Sequence, residues 1–418
     1  MIQANTYAKL FLLLTLTICA WRYDLVGDAN AATPSKRQDP NELAAVIDPI
    51  QERLAPDARL EYFNFTVDLN HSPRRATIET TVPQAKEEIL NAVKSFDDWQ
   101  VDVKILPQEN ADLNGRWRAL VRFSTIQLQR RPEYASEWMT QSIMGAPVKI
   151  LKRESNGWSL IQNYDGYIGY TPSGNLQPLT EEEYLQWLNA KRLICVSRFA
   201  FIYRERNASG DTISDLVAGN VLVDLDDSDD PNFKHAQTPD GRQGWVKADD
   251  VMDWNLWVQS RQLNAENIIA TARSLMGAPY VWGGTTTKGV DCSGLVNVAF
   301  YLNGYNIMRD VSLIRLEGID VDRSQGWSNY QPGDLLIFGE PRPSGAMNWR
   351  HVAIYIGEGR FIHSATSVRE NSLDPNDPDY DRYNATRIIK VVRMLGAPKT
   401  EHFHPIQENI FLHNFDAN

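Results

Sequence analysis

The sequence of 418 residues has little that suggests a membrane, disulfide-rich or nucleic-acid-binding protein. It contains three cysteines, too few for a disulfide scaffold. Its longest apolar run, residues 10–20, is too short to span a bilayer as a helix. The formal net charge of −11 argues against binding to nucleic acid or to an anionic membrane. The 43% of apolar residues is enough for several hydrophobic cores, so a multidomain globular protein is expected.

The N-terminus has the features of a secretory signal. Lys9 precedes the apolar run, and Ala29-Asn30-Ala31 provides a cleavage site that defines a signal peptide over 1–31. Lipidation at Cys19 is an alternative, but Ile18 stands where a small residue is expected before such a cysteine. We therefore expect an exported protein of the periplasm or cell envelope, without stable membrane insertion after the signal is removed.

Two cysteines remain after signal removal, and they have different surroundings. Cys195 lies in a strand-like run and is interpreted as a small buried hydrophobic residue. Cys292 follows Asp291, a good N-cap, and precedes apolar residues at helical spacing that end at Gly304. The first turn of a helix favours the thiolate through its unpaired N–H groups and its dipole. Cys292 is therefore a candidate nucleophile, although a cysteine at this position is often only a packing residue.

Two of the seven histidines, His351 and His363, lie downstream in two alternating strands around a glycine turn. A three-residue loop, 357–359, pairs Ile356 with Arg360 and places both histidines on one face as diagonal neighbours. A two-residue loop would separate them. The glycines at both ends of the loop favour the longer turn, so the sequence predicts a Cys-His-His site.

At this point the motifs resemble those of the NlpC/P60 cell-wall peptidases. They are Tyr280-Val-Trp-Gly-Gly, Asp291-Cys-Ser-Gly, Gln331-Pro-Gly-Asp-Leu, His351-Val and His363, in that order over 263–396. The resemblance implies an α+β papain-like domain in which Cys292 attacks a peptide carbonyl, His351 exchanges the proton and His363 orients the His351 ring. Backbone N–H groups at the helix start and the Tyr280 hydroxyl are candidate oxyanion donors. No cofactor and no metal are expected.

An internal repeat of about 75 residues precedes this region. Its marker is Asp165-Gly-Tyr-Ile-Gly-Tyr against Asp240-Gly-Arg-Gln-Gly-Trp, with short strands and turns around each copy. These features predict two small all-β barrels that resemble bacterial SH3-type domains. The predicted organisation is a linker and clip segment (32–114, with one helix over 82–96), two barrels (115–187 and 188–258), the peptidase domain (259–396) and a tail (397–418).

The resemblance also implies a substrate, the bond between γ-D-glutamate and a diamino acid such as diaminopimelate in peptidoglycan stem peptides. In the family branch with paired barrels, Asp291 and Ser293 bind the free amine of an N-terminal L-alanine, and a tyrosine at the position of Tyr167 lines the cleft. Packing of Tyr167 on its own barrel is the alternative. The family's Arg-Asp-Ser run is altered here by Val311, which bears on substrate preference.

Three other functions are compatible with parts of the sequence. One is a general hydrolase of intact peptidoglycan, and another is a non-catalytic wall-binding protein. The third is a zinc site made from Cys292, His351 and His363. A wall-binding protein would have no reason to retain all three of these side chains. Loss of activity with a thiol reagent would indicate the thiol enzyme, whereas loss of activity with a chelator would indicate the zinc site.

Overall fold

The computed structural model describes residues 40–107, 113–227 and 229–409. The predicted signal peptide, the alternative lipidation site at Cys19 and the last residues of the tail lie outside the described residues. The chain divides into two compact units, one ending at Leu106 and the other beginning at Pro107. Within the described ranges, no helix has the length and apolar character needed to span a membrane.

The first unit has two helices and a three-stranded sheet. Its elements are α1 (Pro40–Leu54), β1 (Phe63–Asp68), β2 (Arg74–Thr80), α2 (Gln84–Ala92) and β3 (Trp99–Ile105). Strand β2 pairs antiparallel with β1 and parallel with β3, so α2 forms the crossover connection. Helix α2 begins after Pro83 and is shorter than the predicted 82–96, because the chain leaves helical geometry at Val93.

The second unit begins with two seven-stranded sheets of identical topology. The first consists of β4 (Arg118–Val121), β5 (Thr125–Gln129), β6 (Trp138–Ile143), β7 (Pro147–Arg153), β8 (Trp158–Asn163), β9 (Ile168–Pro172) and β10 (Leu176–Leu179). After helix α3 (Glu181–Asn189), the second consists of β11 (Arg192–Cys195), β12 (Phe199–Tyr203), β13 (Thr212–Val217), β14 (Val221–Asp224), β15 (Phe233–Gln237), β16 (Gln243–Lys247) and β17 (Val251–Asp253).

The strand orders show that the sequence repeat is a structural repeat. The first sheet has the order β10-β4-β7-β8-β9-β5-β6, and the second, read in the same direction, has β17-β11-β14-β15-β16-β12-β13. Each strand therefore has a counterpart seven strands later, which confirms the two predicted small barrels. Helix α3 and helix α4 (Trp254–Ser260) follow the two barrels and share one core with both of them, in which Trp187 and Trp257 are buried.

The C-terminal part is a helix packed on an antiparallel sheet, as predicted. Its elements are α5 (Ala265–Ser274), β18 (Thr285–Thr286), β19 (Gly289–Val290), α6 (Cys292–Tyr301), β20 (Tyr305–Asn306), α7 (Val311–Ile314), β21 (Ile319–Asp320), β22 (Leu335–Pro341), β23 (Met347–Gly357), β24 (Arg360–Ala365), β25 (Ser367–Ser372), α8 (Arg382–Ala385), β26 (Ile388–Arg393) and β27 (His404–Pro405). Six strands form one sheet in the order β21-β26-β22-β23-β24-β25. Helix α6 packs against β23 and β24 and is buried along most of its length, because its side chains are almost all apolar.

The hairpin that carries the two histidines differs from its predicted turn. Gly357, not Ile356, pairs with Arg360, which leaves a two-residue turn of Glu358 and Gly359. Both turn residues have positive φ, 52° and 73°, as the tight hairpin turn requires. A bulge at Ile356 absorbs the extra residue and returns the strands to the predicted alignment, with Ile354 opposite Ile362. The loop prediction was wrong, but the bulge preserves the register that matters for the histidines.

Candidate active site

Cys292 is the first residue of α6, and the segment before it is held rigidly. The Asp291 side chain caps the helix by accepting from the backbone N–H of Gly294 at 2.7 Å, and from that of Gly283 at 2.9 Å. Gly294 has no room for a side chain, since an added Cβ would lie 1.9 Å from the Gly284 carbonyl oxygen. The cysteine is therefore presented by two chain segments that pack backbone against backbone, and only 8% of it is exposed.

The surroundings of the thiol shift its ionisation in the direction opposite to that expected from the helix start. Burial, followed by the charge of Asp291, raises the pKa of the Cys292 thiol to about 12. Backbone N–H groups of Val352 and Ser293 favour the thiolate but only partly offset the burial. Cys292 in the substrate-free protein is consequently a thiol, and it needs a base at the moment of attack.

His351 and His363 lie together at the hairpin. His351 Nε2 and His363 Nδ1 are 2.7 Å apart, and His363 Nε2 lies 3.0 Å from Asn371 Oδ1. Because His351 uses Nε2 in this contact, its Nδ1 is the ring nitrogen left for proton exchange. The backbone N–H of Val352, the residue after His351, favours the Cys292 thiolate, and α6 packs against the strand that carries the base. The fold thus pairs the two predicted histidines and packs the helix that begins at Cys292 against the strand that carries His351.

Both imidazoles are neutral at physiological pH. Burial, followed by the neighbouring His363, lowers the pKa of His351 to about 3. Burial also lowers the pKa of His363 to about 4, with a further decrease from Arg369. A neutral imidazole can accept a proton from a neutral thiol, so the resting site is suited to proton transfer concerted with attack rather than to a preformed ion pair.

Tyr280, the predicted second oxyanion donor, is half-buried beside the nucleophile. Its backbone N–H donates to the Thr366 carbonyl at 2.9 Å, which fixes the segment next to the hairpin. Burial, together with the charges of Cys292 and Asp291, raises the pKa of the Tyr280 hydroxyl above its usual range. The hydroxyl therefore stays protonated and able to donate a hydrogen bond.

Asp291 and Ser293, predicted to bind a substrate amine, are engaged by a buried arginine. Arg309 Nη2 donates to Asp291 Oδ2 at 2.6 Å and Nη1 donates to Asp291 Oδ1 at 3.1 Å, while Nη1 also donates to Ser293 Oγ at 2.8 Å. Only 1% of the arginine is exposed, and its Nε donates to Thr140 Oγ1 of the first barrel at 3.0 Å. Burial disfavours its charge, but Asp291 and Asp310 hold the pKa of Arg309 above its usual range. Arg309 thus occupies both Asp291 oxygens.

Tyr167 reaches from the first barrel to the catalytic domain. Its hydroxyl donates to Asp310 Oδ2 at 2.8 Å, and its backbone N–H donates to Asp165 Oδ1 at 3.1 Å. The side chain therefore does not pack only on its own barrel. Asp310 also lies 3.7 Å from Arg309 Nη1, so the barrel tyrosine is connected through Asp310 and Arg309 to Asp291, next to the nucleophile.

Three residues at the site had no role in the sequence analysis: Arg309, Asp310 and Asn371. The first two were noted only as part of an altered motif, and nothing in the local sequence marks Asn371. Across the described ranges, no group of three or more His, Cys, Asp or Glu side chains is arranged to hold a metal ion. Both ring nitrogens of His363 instead face hydrogen-bonding neighbours, His351 and Asn371. A zinc site built from the two histidines would have to break this arrangement.

Comparison with known proteins gives the class. Residues 277–390 match the NlpC/P60 family, and residues 128–176 match the bacterial dipeptidyl-peptidase Sh3 domain. The chain therefore contains an SH3-type domain followed by an NlpC/P60 domain, and it is a hydrolase of the peptidase class.

Particular relatives extend this match beyond the catalytic domain. The chain is 28% identical over 290 residues to dipeptidyl-peptidase 6 of Lysinibacillus sphaericus, covering 65% of this chain and 98% of that protein. It is 26% identical over 254 residues to the γ-D-glutamyl-L-lysine dipeptidyl-peptidase of Bacillus cereus, covering 59% and 73%. The crystal structure of an NlpC/P60 family protein from Bacillus cereus has the same fold, with a TM-score of 0.55 at 22% identity, and the match covers 66% of this chain and 99% of that one.

Proposed function

We propose that this protein is an exported cysteine endopeptidase that hydrolyses the γ-D-glutamyl–diamino acid bond of peptidoglycan stem peptides and prefers peptides with a free N-terminal L-alanine. Cys292 is the nucleophile, His351 the general base and His363 the residue that orients it. The Cys292 thiol gives its proton to His351 as the sulfur attacks the carbonyl carbon. His351 then protonates the leaving amine, and water releases the acyl group by the reverse sequence.

The oxyanion of the tetrahedral intermediate requires donors, and two groups beside Cys292 can serve. One is the backbone N–H at the start of α6, and the other is the Tyr280 hydroxyl, which stays protonated. A single such donor is typically worth about 3 to 4 kcal/mol of transition-state stabilisation. We assign both to this role.

The observation that carries the substrate preference is the bond between Tyr167 and Asp310. It joins the barrel to the catalytic domain beside the Arg309–Asp291 pair. Two carboxylates, Asp291 and Asp310, face the single positive charge of Arg309, so this acidic cluster suits an ammonium group. A dipeptidyl-peptidase, the activity in the names of two relatives, must recognise a free amino terminus two residues before the cleaved bond.

The family resemblance implies that Asp291 contacts the substrate ammonium. Within this cluster we now assign that contact to Asp310 instead. Arg309 binds both Asp291 oxygens, and 10% of the Asp291 side chain is exposed compared with 26% of the Asp310 side chain. Asp291 and Ser293 then act through Arg309, which they orient. Tyr167 closes the end of the cleft behind the amine.

The test compares free and N-acetylated L-Ala-γ-D-Glu-diaminopimelate, the corresponding lysine peptides, and intact sacculi, with products identified by mass spectrometry. Acetylation removes the charge and adds bulk, and loss of a desolvated charge pair costs about 2 to 5 kcal/mol. We expect kcat/KM for the acetylated peptide to fall by at least about 30-fold, the lower end of that range. Tyr167→Ala should narrow this difference by opening the closed end. Equal rates on the two peptides, or ready digestion of sacculi, would instead identify a general wall hydrolase.

A non-catalytic wall-binding role is the second candidate, because it would account for the two SH3-like barrels. Absence of any cleavage by the wild-type protein, with retention on sacculi, would establish it. Loss of cleavage on treatment with iodoacetamide, but not with a chelator, would establish the thiol mechanism.

A further inference from the structure

We propose that Asn371 is a positioning residue that fixes the tautomers of His363 and His351 so that the free lone pair of His351 faces the nucleophile. The inference rests on the catalytic roles proposed above for the two histidines. It concerns a side chain that belongs to none of the sequence motifs and contacts His363 at the ring nitrogen that does not face His351.

The orientation of the Asn371 amide is fixed by its backbone neighbours. Asn371 lies on β25, where it pairs with Phe361 of β24, and its Nδ2 donates to the Asp379 carbonyl at 3.2 Å. That carbonyl also accepts from the backbone N–H of Ser372 at 3.0 Å, and the Asp379 carboxylate accepts from Arg360 Nη2 at 3.0 Å. A carbonyl accepts only, so the Asn371 NH₂ group must face Asp379 and its oxygen must face His363.

This orientation determines the protons of both rings in turn. Asn371 Oδ1 only accepts, so His363 Nε2 carries the hydrogen and His363 Nδ1 carries the lone pair. His363 Nδ1 then accepts from His351 Nε2, and His351 Nδ1 carries the lone pair. Because burial keeps both rings neutral, each has a single proton, and its location decides whether His351 can act as a base.

Arg369 is a competitor for the same ring edge. Its Nε lies 3.4 Å from His363 Nε2 and can only donate. If this contact prevailed, Nε2 would have to accept, His363 Nδ1 would carry the hydrogen, and His351 would be protonated at Nδ1. That tautomer cannot take the thiol proton. The Asn371 contact is shorter, at 3.0 Å, and Arg369 is solvent-exposed, so the Asn371 arrangement prevails.

The kinetic test uses variants on either side of this ring. Asn371→Leu retains the approximate shape of the side chain and removes the acceptor, so kcat on the free stem peptide should fall on the order of 10- to 100-fold. KM should change by less than about twofold, since only the base is affected. Asn371→Asp, which restores an acceptor, should recover most of the lost kcat. Arg369→Leu, the matched control, should retain full activity and should restore part of the activity of Asn371→Leu when the two are combined.

Nuclear magnetic resonance of protein labelled with ¹⁵N-histidine reports the tautomers directly and needs no substrate. The His363 signals are identified by their loss in His363→Gln. We expect His363 to carry its hydrogen on Nε2 in the wild type and on Nδ1 in Asn371→Leu, with Asn371→Ala serving the same purpose if the leucine variant does not fold. An unchanged tautomer, or a kcat equal to that of the wild type, would overturn the proposal. A tautomer change in a protein that cleaves no stem peptide would refute the proposed function and leave the role of Asn371 in the tautomer intact.

Discussion

Replacing Arg309 with methionine should destabilise the protein strongly, because the residue is buried and its contacts are polar and charged. Arg309 is 1% exposed and donates to Asp291, Ser293 and Thr140. The change leaves the Asp291 carboxylate, on a side chain that is only 10% exposed, without its charged partner. It also removes a contact between the first barrel and the catalytic domain.

The magnitude follows from the cost of isolating a buried charge. Removing one partner of a buried ion pair typically costs about 3 to 5 kcal/mol. At about 2 °C per kcal/mol for a protein of this size, the melting temperature should fall by about 6 to 10 °C. Adding Asp291→Asn removes the uncompensated charge and keeps a helix cap, so the double variant should recover about 1 to 3 kcal/mol of the free energy of unfolding.

The assay is urea and thermal unfolding of the four proteins in the double-mutant cycle. Arg342→Met is the control, since Arg342 is exposed and its guanidinium donates a long hydrogen bond, to Asn348 Oδ1 at 3.3 Å. This change should alter the free energy of unfolding by less than about 0.5 kcal/mol. Two results would show that the buried ion pair is not the cause of the destabilisation. One is an Arg309→Met variant that is as stable as the Arg342→Met control, and the other is a double variant no more stable than Arg309→Met alone.

Three further predictions concern the catalytic side chains. Cys292→Ala should abolish hydrolysis and lower the melting temperature by no more than a few degrees, whereas a large loss of stability would indicate that the cysteine serves mainly in packing. His351→Ala should lower kcat/KM at least about tenfold more than His363→Ala. The reason is that general base catalysis contributes a rate enhancement of about 10²- to 10⁴-fold, whereas water can partly replace an orienting group. Equal losses of kcat/KM in the two variants would contradict the assigned roles. Burial and Asp291 raise the pKa of the Cys292 thiol to about 12, so the thiolate fraction increases with pH up to that value. The rate of alkylation by iodoacetamide in the absence of substrate should therefore increase continuously from about pH 6 to about pH 10. A plateau across this range would show a preformed thiolate–imidazolium pair.

The sequence was sufficient to predict a structural element wherever the interactions that determine the element are local. Helix α6 begins at Cys292 because Asp291 caps it, and α5 begins after Asn264 for the same reason. The repeat was visible because equivalent barrel turns need the same Asp-Gly pair, as at Asp165 and Asp240. Periodicity likewise predicted the two histidine strands, although the turn between them has a bulge at Ile356 that local sequence does not specify.

The ionisation of the site could not be predicted from the sequence, because it depends on burial. The helix start favours the thiolate of Cys292, but the packing of α6 against the sheet removes the thiol from water, and the desolvation cost is larger. The same packing keeps His351 and His363 neutral.

By itself, then, the sequence determined the order of the domains, the helix that presents Cys292 and the strands that carry the two histidines, since each follows from residues close together in the chain. Only the tertiary structure decided which carboxylate is engaged by Arg309, that Tyr167 reaches Asp310 and that Asn371 meets His363. The partners in the first two of these contacts lie 18 and 143 residues apart. Pairings of this kind depend on how barrels, helix and sheet pack, and a buried charge takes whichever partner that packing brings within hydrogen-bonding distance.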